Sequence, residues 1–240
     1  MGQTLAMASS LFSRHATYEF HRLPSGRLQM NLLDKRADMN LARARKRDIH
    51  PVWLLSGEPM QLAQTNVVNS ESSSEKRLAC VFVRASANPK YTLLCSHGGT
   101  TDLGESCCCF AWNQFFNDRK IIVLKLKFFV WKSTGDHINY YFTLGQLLDC
   151  NVIGYDYAGF GISEGSLSEK RLLQDADTVY RYAVTSLKIR PQQLILHGQS
   201  LGTVASLHLA SKFRVAGLVL ISPFLRLPNA AKAAFFKEHR

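Results

Sequence analysis

Residues 198–202 read Gly-Gln-Ser-Leu-Gly, between the apolar run "LILH" (194–197) and the apolar segment "TVASLHLASKF" (203–213). A serine at the centre of G-x-S-x-G, entered from a strand and left by a helix, is a candidate nucleophile. The spacing has a steric reason. The sharp turn brings the residues two before and two after the serine close together, so Gly198 and Gly202 are needed to flank Ser200. The turn lifts the hydroxyl above the sheet edge, and the amides of the following helix converge on the place where an oxyanion would form.

A tetrahedral intermediate needs a second donor. "SHGGTTD" (96–102) follows another apolar strand, and the backbone N–H of Gly99, with that of Leu201, is the expected oxyanion hole. His97 has the chemistry of a base. However, it precedes Ser200 by about a hundred residues, whereas the order in this architecture is serine, acid, histidine, so it is expected to shape its loop. Asp156 ends a strand and begins a glycine-rich turn, which it is expected to hold; Asp175 and Asp177 fall in a helical run as surface or packing residues. After Ser200 no aspartate occurs, and Glu238 is the only carboxylate side chain. His208 lies eight residues along the same helix, a rise of about 12 Å that carries it out of reach, and His239 stands beside Glu238.

The elements that must position these residues follow from hydrophobic period. Strand character is expected over 77–85, 91–99, 151–161, 193–198 and 215–223, and helices over 169–187 and 203–213. Short apolar strands alternating with amphipathic helices predict an α/β fold with a mostly parallel sheet, helices on both faces. Residues 1–68 are expected as a basic, partly ordered N-terminal segment, and 69–240 as the main domain with an insertion at about 106–143. The aromatic, β-branched core of that insertion, 121–131, reads as an extra hairpin, an interfacial patch or an insertion that packs badly. "RARKRDIH" (43–50) reads as a solvated basic face or as a patch toward phosphate headgroups.

Composition narrows the class. A chain of 240 residues, 46% hydrophobic and 20% charged, folds around an ordinary core. Its net charge of +11 favours acidic partners, a peripheral membrane surface above all, since no nucleic-acid-binding signature occurs. The six cysteines match no zinc pattern and make a poor disulfide framework, which fits an intracellular, reducing setting. No metal or cofactor is expected. No apolar run is long enough to span a bilayer, the N-terminus lacks the basic start of a signal peptide, and Ala6 stands where a myristoylation motif needs Ser or Thr.

Several blocks together resemble the alpha/beta hydrolase domain-containing protein 17 family: "RLACVFVRASANPKYTLLCSHG", "DLGE", "NVIGYDYAGFGISEG", "SEKRLLQDAD", "IRPQQLILHGQSLGTVASLHLA" and "LVLISPF". The resemblance covers most of residues 77–225. It implies an α/β-hydrolase fold lacking its last strands, and a serine thioesterase that removes palmitate from S-palmitoylated, membrane-associated proteins, hence a cytoplasmic, peripherally membrane-associated location. By motif, Ser200 corresponds to the nucleophile and Gly98–Gly99 to the oxyanion loop. The family carries a palmitoylated, cysteine-rich N-terminus, whereas no cysteine precedes Cys80 here, and the passage from "DLGE" to "NVIGYDY" is longer. The strands that bear the family's acid and histidine have no counterpart after "LVLISPFLRLP", so the chain reads as truncated and is expected not to turn over by itself. The strand "LVLIS" is then expected as an unpaired, apolar sheet edge. A catalytically dead module that binds lipidated proteins or regulates a relative is the second reading.

Overall fold

A computed structural model describes residues 16–33, 48–56, 76–99, 121–124 and 137–223. In chain order the elements are β1 (Tyr18–Arg22), β2 (Leu28–Leu32), β3 (Ile49–Ser56), β4 (Lys76–Val83), β5 (Tyr91–Ser96), β6 (Ile121–Leu124), α1 (His137–Leu147), β7 (Cys150–Tyr155), α2 (Glu169–Arg181), β8 (Leu194–Gln199), α3 (Gly202–Lys212) and β9 (Gly217–Ile221). A π-helical turn, Tyr182–Ser186, continues α2. β1 and β2 form an antiparallel hairpin, and the other seven strands form one sheet in the order β3-β4-β7-β5-β8-β9-β6. β3, β4 and β7 pair antiparallel; β7, β5, β8, β9 and β6 pair parallel.

Side chains alternate across this sheet with the period of two that strands impose. On β5 and β7, Leu94, Ile153 and Tyr155 point to the face covered by α2 and α3, where Leu172, Ala176, Val179, Ala205 and Leu209 are buried against them. Leu93, Cys95 and Val152 point to the other face, against Ile138, Tyr141 and Phe142 of α1 and Tyr18, Met30 and Leu32 of the hairpin. Each fully buried aliphatic or aromatic side chain contributes about 2 kcal/mol, so both faces are needed to hold a parallel sheet together. Ser168 caps α2, its hydroxyl accepting from the Arg171 amide at 3.1 Å.

Three outcomes differ from the expectations. β3 precedes the boundary drawn at 68 and 69, yet pairs with β4 along eight residues, from Ile49 opposite Val83 to Ser56 opposite Lys76. The end of the supposed insertion is α1, whose Ile138, Tyr141 and Phe142 are buried, so residues from 137 onward belong to the core and are not a surface excursion. The edge of β9 is also paired. β6, from the β-branched run within the insertion, lies parallel to it with Ile121 opposite Leu218 and Leu124 opposite Ile221. An open apolar edge is a template for any strand-prone segment, and "IIVL" fills it. The rest of 106–136 and the cluster Arg43–Arg47 lie outside the described residues.

Candidate active site

β8 ends at Gln199 and α3 begins at Gly202, leaving two residues to reverse the chain. Ser200 makes the reversal with φ +48°, in the left-handed region that side chains rarely enter. Such strain costs about 1 kcal/mol or more and persists only where the surroundings enforce it. Here the Ser200 amide donates to Ile221 O on β9 at 2.9 Å, and the Thr203 hydroxyl and amide donate to Ser200 O at 2.6 and 3.0 Å. A Cβ on Gly198 would lie 2.6 Å from Gly202 O and 2.7 Å from Ser206 Oγ, and one on Gly202 would collide with the Ser96 carbonyl. The two flanking glycines are therefore required by contact. Ser200 itself is half-buried and open to a reactant.

The loop after β5 runs alongside. A Cβ on Gly98 would lie 3.7 Å from Ser200 Cβ, so the two turns touch. Gly99 and Leu201 are both buried, and neither amide meets an acceptor among the described residues. An acyl-transfer intermediate requires donor amides of this kind aimed at the oxyanion.

The histidines are placed differently from a base. His97 is buried, with Nδ1 donating to Gly98 O at 2.7 Å and Nε2 standing 3.2 Å from Asp156 Oδ1. A carbonyl oxygen can only accept, so Nδ1 carries a proton, and the remaining nitrogen faces a carboxyl group. Asp156 also accepts from the Tyr18 hydroxyl at 2.6 Å, and its own carbonyl accepts from Ser163 Oγ at 2.8 Å. The pair thus fixes the loop after β5 and the turn after β7. His197 on β8 packs near Tyr140 of α1, and burial pushes its imidazole down to about 4, so it is neutral. His208 binds Asp177 at 3.1 Å, and Lys212 reaches the same carboxylate at 2.8 Å, bracing α3 against α2. Among the described residues, no hydrogen bond joins any of these histidines to Ser200.

Asp175, expected on a surface or in packing, is fully buried. Its oxygens accept from Ser56 Oγ at 2.6 Å and the Ala158 amide at 2.8 Å, and Arg171 Nε lies 3.2 Å away. Burial raises its carboxyl above the usual range, against the opposing pull of these donors. Sequence reasoning missed Tyr18, whose phenol reaches Asp156 across 138 residues. No local pattern announces that contact.

A family model described as serine aminopeptidase, S33, matches residues 128–239 and so includes the Ser200 turn. The chain is 36% identical over 166 residues to alpha/beta hydrolase domain-containing protein 17B of Xenopus tropicalis, covering 69% of this chain and 46% of that one. It is 33% identical over 165 residues to the human protein 17C, covering 69% and 41%. The chain has the α/β-hydrolase fold and is similar in sequence to these α/β hydrolases. It spans less than half the length of these curated α/β hydrolases. A putative hydrolase from Agrobacterium vitis superposes with a TM-score of 0.42 at 20% identity, covering 73% of this chain and 53% of that one.

Proposed function

We propose that this α/β hydrolase is a serine hydrolase in which Ser200 attacks an acyl ester or thioester, with the amides of Leu201 and Gly99 stabilising the oxyanion. The observation that carries the reading is the backbone of Ser200, left-handed at φ +48° between two glycines that leave no room for a Cβ. A strained, half-buried serine whose neighbouring Leu201 amide meets no acceptor among the described residues has no evident structural use. The substrate class follows from the resemblance to the domain-containing protein 17 relatives: S-palmitoylated proteins, met at a peripheral membrane surface to which a net charge of +11 is suited. The test is release of palmitate from a palmitoyl-cysteine peptide, compared between the protein and Ser200→Ala. Serine-dependent release supports the reading, and release that survives Ser200→Ala sinks it.

One observation favours the second reading, a module that binds lipidated proteins without turning them over. Among the described residues no imidazole is bonded to Ser200, while His97 faces Asp156 and His208 binds Asp177. Without a base, the oxyanion hole and binding alone leave about 10³–10⁴-fold acceleration over water. Acylation supported by these described groups alone is expected to be slow and turnover poor. Binding of a palmitoylated peptide with no Ser200 adduct would favour the module.

A further inference from the structure

We propose that Tyr18 is a positioning residue for the oxyanion loop, acting through Asp156 and His97. It links the N-terminal hairpin to the reactivity of Ser200, and it rests on the reading of Ser200 as a nucleophile. The line of contacts is continuous and buried. The Tyr18 hydroxyl donates to Asp156 Oδ2 at 2.6 Å. Asp156 Oδ1 stands 3.2 Å from His97 Nε2, and His97 Nδ1 donates to Gly98 O at 2.7 Å. Gly98 abuts Ser200, and Gly99 follows with one of the two oxyanion amides.

Each link has one seat. Tyr18, His97 and Asp156 are at most 3% exposed, so none has a water-filled alternative. The His97 ring is held between Tyr157, 4.5 Å away, and Phe160, 5.5 Å away, while the Tyr157 hydroxyl donates to His97 O at 2.8 Å. Gly161, at φ +49°, leaves the gap the carboxylate occupies: a Cβ there would collide with Asp156 Oδ2 and lie 3.0 Å from the Tyr18 ring. Removal of the Tyr18 hydroxyl takes a 2.6 Å donor away from the Asp156 carboxyl group. Asp156 can then shift, the carboxyl group that faces His97 Nε2 no longer fixes the ring, and the Gly98 carbonyl loses its fixed donor. A loop that must hold an amide within a few tenths of an ångström of an oxyanion is sensitive to that loosening.

The experiment compares Tyr18→Phe with Phe20→Leu. Phe20 lies on the same hairpin, its ring 5.5 Å from that of Tyr18 and 5.2 Å from that of Trp53, and it carries no hydroxyl toward Asp156, so it reports on packing around Tyr18 without the hydrogen bond. The first readout is solvent exchange of the His97 ring N–H by NMR, assigned through His97→Gln. The second is the rate of Ser200 phosphonylation by a fluorophosphonate. Loss of a buried charge-assisted hydrogen bond predicts about tenfold faster ring N–H exchange and about tenfold slower phosphonylation in Tyr18→Phe, with both unchanged in Phe20→Leu. Unchanged exchange in Tyr18→Phe, or equal changes in the two variants, overturns the proposal. Absence of phosphonylation in the parent protein sinks the nucleophile reading, while the ring N–H readout still decides whether Tyr18 fixes His97.

Discussion

Two strand ends of this molecule carry residue types that do chemistry, and the structure uses them in opposite ways. At the end of β8, Ser200 is half-buried and strained, and the amide of the Leu201 that follows it meets no acceptor among the described residues. At the ends of β5 and β7, His97 and Asp156 lie almost fully buried and face each other, and each has further hydrogen-bond partners. The first site leaves bonding capacity open toward a reactant. The second turns its polar groups into the protein interior. Residue type alone does not separate a catalytic group from a structural one; what separates them is where the unsatisfied capacity points.

The contrast is open to direct disruption. Asp156→Ala removes the buried carboxyl group that the Tyr18 hydroxyl bonds and His97 Nε2 faces. Breaking a buried pair of this kind costs about 4 kcal/mol, measurable by urea denaturation. If the loss were under about 1 kcal/mol, the structural role given to this pair would be wrong. Gly202→Ala drives a methyl group into the Ser96 carbonyl and is expected to cost about 3 kcal/mol and to abolish Ser200 labelling.

His197 supplies a pH test. Its imidazole titrates at about 4 in the folded protein, against 6.5 when free, because burial disfavours the cation. Below 6.5 the unfolded chain binds a proton that the folded chain refuses, so stability falls as pH drops from 6.5 through about 4. The difference in stability between the protein and His197→Gln is expected to shrink by about 3 kcal/mol across that window. A flat difference would show that His197 is solvated when folded. The smallest effect is expected at the α2–α3 brace: His208→Ala removes a partly exposed tie to Asp177, costs under about 1 kcal/mol, and leaves the rate of Ser200 labelling unchanged. A large fall in labelling would make His208 a base after all.

Much of the fold was legible because its signals are local. The apolar runs of β5, β7, β8 and β9 and the 3.6-residue period of α2 and α3 sit close to their expected spans. The glycines around Ser200 were legible for the same reason: the steric demand of the turn acts over five residues. The hairpin of β1 and β2 left a cue in its Leu-Pro-Ser-Gly turn at 23–26, which the basic composition of the N-terminal segment obscured. What stayed hidden is non-local. Nothing in "IIVL" specifies pairing with β9, because a strand's propensity carries no address, and nothing near Tyr18 names Asp156 as its partner.

The central claim is that the Ser200 hydroxyl is presented for attack, and peptide mass spectrometry after treatment with a fluorophosphonate tests it most directly. One adduct on Ser200, forming slowly and absent from Ser200→Ala, is the expected result. An unlabelled Ser200 in folded protein, or an adduct on another serine that persists in Ser200→Ala, would contradict it.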